Sequence, residues 1–475
     1  MTLPSLRSLL TALSVAALAS AAGAAPAEYL VTDRGAVGDG ATVNTKAIQG
    51  AIDACAAAGG GTIVVPAGTF VSGALYFKPG VNLALRKDAV LKSTTVMADF
   101  PPVYTSWEGV ERYWTSGFLN FVGMNDVVVS GDGTVDGSGL AWPGAPRRQQ
   151  PPGPRRPPPL TLATGPMPRV QDVYPSPLPT TDSLNFAPQP AHLPPLNAAG
   201  IPLLGGAGRL APPRALVFQN CRNVRVAGVH LLNQARWGFV FIYCRQVVAE
   251  NLQVRTASYI PSSDGIDVCS CDGVQITGCD ISCNDDDISI KAGKDADGLR
   301  VNRPSENIVI RDCRFGSGGG VDMGSEVSGG IRHVRVEHCR FVGSGTAARI
   351  KSQPSRGGVV EDIVYRDIQF ENVARAIEFD VEWRMVPPLA PAAKVLTVVR
   401  NVQLINFTGT AQAAGVIRGF KDSPIQDLKF EHSSITAQRG LALEHADESG
   451  LAGLELKIAT GPAIIRPQGG SMPLL

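Results

Sequence analysis

Three aspartates set the chemistry that this sequence can perform. Asp264 stands in Ser262-Ser263-Asp264-Gly265-Ile266-Asp267. Asp285 and Asp286 stand in Asn284-Asp285-Asp286-Asp287-Ile288-Ser289-Ile290-Lys291. Carboxylates gathered at one place cannot all ionise freely. One takes a raised pKa and can donate a proton, while its neighbours stay charged and can hold a water. That division of labour suits hydrolysis of a glycosidic bond with inversion, for which carboxyl groups roughly 6.5–9.5 Å apart are expected, leaving room for the water. An acidic cluster can also bind a hard cation such as Ca²⁺. Lys291 beside the cluster and the lack of EF-hand-like spacing favour acid–base work. Further on, Arg349-Ile350-Lys351 alternates, so its two cations share a face and Ile350 turns the other way. Such a pair suits a uronic-acid carboxylate, which the Arg can bind bidentately. As a solvated surface pair it would contribute little.

Some element must bring these positions together, and a repeat can do so. Asn223-Val224-Arg225-Val226 is echoed at Gln246-Val247, Gly273-Val274, Asn307-Ile308, His333-Val334, Asp362-Ile363, Asn401-Val402 and Asp427-Leu428. Each copy alternates apolar and polar residues, turns, and alternates again, which is a short strand, a bend and another strand. A period of roughly twenty-odd residues, with longer gaps where loops intrude, suits a solenoid of stacked strands and not a helical repeat. The expected fold class is all-β: a single right-handed parallel β-helix. The 21 residues from Asp264 to Asp285 are close to one coil, so the three acids can lie side by side. If Ile288 and Ile290 point inward, strict alternation would bury Asp286. An unpaired buried carboxylate costs several kcal/mol. Asp285 and Asp286 are therefore expected in a bend before the strand.

The ends and interruptions of the solenoid are also legible. Residues 45–58 place Ala47, Ile48, Ala51, Ile52 and Cys55 on one face, an amphipathic helix ended by Gly59-Gly60-Gly61, and it can cap the first coil. Residues 1–24 read as a secretory signal: Arg7, an apolar run over 9–22, then the small residues Ala22-Gly23-Ala24. The run is short of the roughly 20 residues of a membrane span. The protein is expected to be secreted or periplasmic, with one domain over 25–475. A Pro-rich insertion at about 143–213 interrupts the repeat, either as an extended segment without a role or as a loop that rims the groove and lends it Arg147, Arg148, Arg155 and Arg156. Of nine cysteines, Cys279, Cys313 and Cys339 share a repeat position with Val229, Leu252 and Ile368. They read as small apolar residues stacked in the coil, close but wrongly aimed for a disulfide ladder. Cys269, Cys271 and Cys283 are left without assignment. The net charge of +1 gives no general pull toward nucleic acid or a membrane surface. Without a paired CxxC set or an HExxH, no metal and no cofactor are expected. A solenoid with covered ends is expected to be a monomer.

These motifs together resemble the family 28 glycoside hydrolases, the polygalacturonases and their relatives acting on pectin. The resemblance runs over about 29–433 outside the insertion. It rests on Asp33-Arg34-Gly35-Ala36-Val37-Gly38-Asp39-Gly40 with Asn44-Thr45 and Ala47-Ile48-Gln49, on Asp264-Gly265, on Asp285-Asp286 and on Arg349-Ile350-Lys351. The runs Lys291-Ala292-Gly293-Lys294-Asp295-Ala296-Asp297-Gly298, Pro304-Ser305-Glu306-Asn307 and Gly324-Ser325-Glu326 are similar to the bacterial, often exo-acting branch. The resemblance implies that Asp285 donates the proton, that Asp264 and Asp286 position the water, and that Arg349 and Lys351 bind a substrate carboxylate. It also implies that Asn233 and Trp237 line the groove. Two positions depart from the family pattern. Its Asn-Thr-Asp reads Ser262-Ser263-Asp264, and its Gly-His-Gly reads Gly318-Gly319-Gly320, so the supporting histidine is missing at Gly319. Asp322 or a water is expected to fill that space. Met323-Gly324-Ser325 is similar to rhamnogalacturonan-cleaving members. The resemblance thus implies a hydrolase of acidic, galacturonic-acid-containing pectic polysaccharide. The alternatives are a rhamnogalacturonan-type hydrolase and a pectin-binding protein that has lost turnover. A β-eliminating lyase, which relies on a basic side chain and Ca²⁺, is poorly served by three aspartates.

Overall fold

The computed structural model describes residues 27–142, 211–383 and 395–466. The expected signal segment and most of the Pro-rich insertion lie outside the described residues.

Alternation in the repeats decides which residues form the core. Val224 and Val226, Val247 and Ala249, Val274 and Ile276, Ile308 and Ile310, Val334 and Val336, and Ile363 and Tyr365 are each at most 1% exposed. Polar residues between them face out. Each coil contributes short strands that pair, parallel and in register, with the equivalent strands of the next coil. The result is the expected right-handed parallel β-helix with three faces. On one face the strands Phe239–Ile242, Ile266–Cys269, Ile288–Lys291, Val321–Gly324 and Thr346–Lys351 follow one another. Identical register positions stack: the rings of Phe121, Phe218 and Phe241 lie 4.7 and 5.1 Å apart, about one coil rise.

The polar residue that opens each repeat copy has a backbone reason. Asn223, Gln246, Asn307, His333, Asp362, Asn401 and Asp427 all sit at φ between 50 and 57°. That left-handed conformation is one Asn and Asp tolerate better than most residues. Neighbouring turns are tied together, as where Asn307 Nδ2 donates to Asp272 Oδ1 at 2.8 Å.

The cap helix spans Thr45–Ala57 and buries Ile48, Ala51, Ile52 and Cys55. It packs against the first coils, in contact with the strand Gly61–Val65. Gly60, at φ 109°, ends it where a Cβ would meet the Gly80 carbonyl oxygen at 2.6 Å. All nine cysteines are free and buried. Cys279, Cys313 and Cys339 form the expected inward column, and Cys221, Cys244 and Cys271 form a second. One element was not foreseen: an antiparallel hairpin of Pro102–Trp107 and Val110–Thr115. It leaves the coil and lies across the face that carries the aspartates. Among the described residues, no helix is long and apolar enough to cross a membrane.

Candidate active site

Register places the acids. Ile266 pairs with Ile288, a coil of 22 residues, so Asp264 stacks on Asp286 and not on Asp285. The Gly265 N–H donates to the Asp286 carbonyl at 3.0 Å. Asp264 lies just before the strand Ile266–Cys269, and Asp285 and Asp286 lie in the bend before Ile288–Lys291, where the alternation argument put them. One carboxylate oxygen from each of the three falls within 4.8 Å of the others. These nearest oxygens stand closer than the 6.5–9.5 Å between carboxyl groups expected from the sequence, and the stacking of coils about 4.8 Å apart allows this for Asp264 and Asp286.

The three acids differ sharply in surroundings. Asp286, 2% exposed, accepts from Arg349 Nη1 at 2.9 Å and from Lys351 Nζ at 2.7 Å. Burial pushes its pKa up, and Lys351, Arg349 and Lys291 more than reverse this, leaving it well below the usual carboxylate range. Asp285 is half-buried, with no cation at ion-pair distance among the described residues. Burial and the neighbouring Asp286 charge raise its pKa. Asp264 is 3% exposed and accepts from Lys291 Nζ at 3.0 Å. Burial holds it well above the ordinary value despite that lysine. The site therefore sets a carboxyl with a raised pKa, Asp285, directly beside one with a lowered pKa, Asp286.

Beneath these acids lie two similar units. Lys291 also binds Asp267 at 2.5 Å, and Asp267 is fully buried with its pKa pushed by burial to about 6. One coil step further, Lys351 bridges Asp286 and the fully buried Asp322. Each lysine is thus held between a buried acid and an acid of the cluster. Gln234, which the sequence reading passed over for its neighbour Asn233, donates from Nε2 to the carbonyls of Ser263 and Asp264 at 3.0 and 3.1 Å. Asn233 itself is half-buried and accepts from the Ala257 N–H at 3.3 Å. Trp237 is 5% exposed, sandwiched between Trp107 of the hairpin, 5.1 Å away, and the Lys291 ammonium, 3.8 Å above its ring. Its ring face supports Lys291 and is not an open platform in the groove.

The space expected for the missing histidine is occupied. A Cβ on Gly319 would lie 2.5 Å from Asp286 Oδ1 and 3.2 Å from Arg349 Nη1. The Asp286–Arg349 pair fills that side, while Asp322, expected to fill it, is engaged with Lys351. Two residues beside the cations were not foreseen. Glu378 pairs through Oε2 with Arg349 Nε at 3.0 Å. Trp383 lies 5.7 Å from the Arg349 guanidinium and 5.0 Å from the Lys351 ammonium. Counting one coil on from Arg349 would have found Glu378, its register partner. The oxygens of Asp264, Asp285 and Asp286 could ligate a cation, yet Lys291, Lys351 and Arg349 already neutralise two of the three.

Comparison with known proteins adds lineage to this geometry. The profile of the glycosyl hydrolases family 28 matches residues 206–447, and that of rhamnogalacturonase A/epimerase, pectate lyase-like, matches residues 30–84. An exo-poly-alpha-D-galacturonosidase of Dickeya chrysanthemi is 27% identical over 82% of this chain and 64% of its own length. A probable polygalacturonase of Vitis vinifera is 26% identical over 72% of this chain and 60% of its own. The chain thus spans less than two thirds of these relatives. The crystal structure of a hyperthermoactive exopolygalacturonase from Thermotoga maritima superposes with a TM-score of 0.72 at 25% identity, covering 93% of both chains.

Proposed function

Because this chain belongs to the glycosyl hydrolases family 28, we propose that it is an exported enzyme that hydrolyses galacturonic-acid-containing pectic polysaccharide, using three aspartates and no cofactor. Asp285 donates its proton to the glycosidic oxygen as the bond to the anomeric carbon breaks. Asp264 and Asp286 hold the attacking water, and the proton it loses passes to one of them. One water can donate to two carboxylate oxygens less than 4.8 Å apart, so Asp264 and Asp286 can hold it together. The attack inverts the anomeric centre.

The observation that carries this reading is the contrast between neighbours: Asp285 has its pKa raised and no ion-pair partner among the described residues, and Asp286 is held ionised by Arg349 and Lys351. A general acid must keep its proton at working pH, and at least one of the groups that hold the water must not, which here is Asp286. The printed names of the relatives and of the superposed structure support pectic substrate. The apolar run and small residues within 1–24 support export, to the periplasm or outside the cell. The protein acts as a monomer.

Asp285→Asn tests the assignment. Loss of a general acid typically costs 10²–10⁴-fold, so release of reducing ends from pectic polymers should fall by about that much while circular dichroism stays unchanged. Undiminished release would remove Asp285 from the role. Proton NMR of the first product should show the inverted anomer, and a retained one would overturn the water-attack scheme. No ultraviolet absorbance from a new double bond should accompany cleavage.

A further inference from the structure

The acids lie midway along the face that carries them. Two coil steps beyond Asp285, through Val321–Gly324 to Thr346–Lys351, stand Arg349 and Lys351. Two coil steps before it stands the strand Phe239–Ile242, and the bend leading into that strand holds Arg236. Arg236 precedes Phe239 by three residues, as Asp285 precedes Ile288, so both occupy one register position. A chain of sugars cut at the acids extends to both sides. About 10 Å along the face in either direction it comes to the level of an arginine.

The fold gives Arg236 little to hold. It is 4% exposed, and its one hydrogen bond among the described residues runs from Nη1 to the neutral carbonyl of Pro261 at 3.0 Å. Burial works against its charge, and the charges of Glu108, Asp285 and Asp264 support it without an ion pair among the described residues. A buried charge is ordinarily paired. Arg214 shows the contrast. It is 1% exposed and spends its donors on the hairpin, at the Ser106 carbonyl, 2.9 Å, and Thr105 Oγ1, 3.0 Å. A second arginine of the hairpin, Arg112, is 4% exposed with its Nε unpartnered. Burial works against its charge too, and Glu108 and Asp297 support it. Asp297 is held by Arg300 at 2.9 Å, and the ion pair of Glu108, at 3.7 Å, is with Lys294. Glu108 at the hairpin tip is thus shared among Arg112, Arg236 and Lys294.

We infer, on the reading of this site as a pectic glycoside hydrolase, that Arg236 binds the carboxylate of a galacturonate seated on the hairpin side of the scissile bond. This is a second uronate site, across the acids from Arg349 and Lys351. The guanidinium fork matches a carboxylate and can take it bidentately. The ligand supplies the anion that the buried arginine lacks, and Arg112 adds positive charge on the same side. Glu108 supports the cations in the free enzyme and, being of like charge to the ligand, opposes its binding. The hairpin matters here for position: Trp107 stacks on Trp237, the residue next to Arg236, and so brings the Glu108 tip to this end of the face.

The test measures binding of hexagalacturonate and of its full methyl ester by calorimetry, in the full chain carrying Asp285→Asn so that neither ligand is cut. The ester keeps the acceptor oxygens and loses the charge. Adding Arg236→Gln should weaken hexagalacturonate at least about tenfold and leave the ester unchanged. Arg236→Lys, which keeps the charge and loses the fork, should recover part of the loss. Equal weakening of both ligands would mean that Arg236 only supports the fold of the site, and no weakening would mean that it meets no substrate; either overturns the inference. Glu108→Gln, at an exposed turn, gives an independent check should Arg236→Gln fail to fold. It should tighten hexagalacturonate by at least about threefold and spare the ester, and an unchanged or weakened hexagalacturonate would overturn the inference. Release of reducing ends from de-esterified homogalacturonan by the wild type tests the hydrolase reading separately. No release would overturn that reading, and the binding comparison would still decide whether Arg236 holds a uronate.

Discussion

Substituting Gly319 by alanine adds one carbon where the structure has no room for it. An ideal Cβ falls 2.5 Å from Asp286 Oδ1, 3.1 Å from the Asp286 Cα and 3.2 Å from Arg349 Nη1. A carbon–oxygen contact needs about 3.3 Å, so the carboxylate must retreat by about 0.8 Å. Arg349 grips that same oxygen at 2.9 Å. If the guanidinium does not follow, the bond opens to about 3.7 Å and ceases to be a hydrogen bond. Hydrogen bonds to charged groups are worth about 1.5–3 kcal/mol, and overpacking alone costs about 1–3 kcal/mol. At about 1.4 kcal/mol per tenfold, kcat/KM should fall by about 10- to 150-fold. The φ of Gly319 lies outside the left-handed region, so backbone strain adds nothing and the loss measures space alone. Gly319→His, which restores the family residue, should do worse, since an imidazole is larger than a methyl. The assay is kcat/KM on the best pectic substrate together with the thermal midpoint. A histidine variant as fast as the wild type, or faster, would show that the side of Asp286 is open and that the packing argument is wrong.

Other perturbations address the electrostatics and the supports. Asp285 must be protonated to act, and its pKa is raised, so the rate should fall as pH rises through a value above the ordinary carboxylate range. Lys351 lowers the Asp285 pKa by its charge, so Lys351→Met should weaken activity and move that alkaline limb to higher pH; a limb that stays or moves down in the kcat/KM profile would contradict the coupling. Trp107→Ala removes the ring stacked on Trp114 and Trp237. By analogy with buried Trp→Ala substitutions it should cost about 3–5 kcal/mol, visible as a lowered thermal midpoint. It should also lower kcat through loss of the support under Lys291; wild-type stability would mean that the hairpin is not anchored there. The nine thiols should be silent to a thiol reagent in the native protein and all titrate after denaturation without reductant, whereas fewer than nine would reveal a disulfide.

Local physics made much of this legible in the chain itself. Alternating apolar residues behind a left-handed Asn or Asp specify strand, turn and strand, and a period of one coil specifies stacking, whatever the neighbours do. The cap helix follows from the spacing of Ile48, Ala51, Ile52 and Cys55, and the inward column of Cys279, Cys313 and Cys339 from one repeat position. The bend that carries Asp285 and Asp286 follows from the cost of burying a carboxylate. Each of these depends on neighbours in sequence or on a fixed repeat.

What depended on contacts between coils was hidden until the chain was folded. The partner of Asp264 is Asp286 because the coil holds 22 residues and not 21, and a single-residue offset changes which side chains touch. Trp107 slides over Trp237 beneath Lys291, across an interval no local pattern encodes. Sequence alone therefore determined the β-helix and the neighbourhood of three acids, because backbone periodicity is local and repeated. Only the tertiary structure decided which acid is ionised and which cations are already neutralised, because electrostatic energy depends on distances of a few ångströms between residues far apart in the chain.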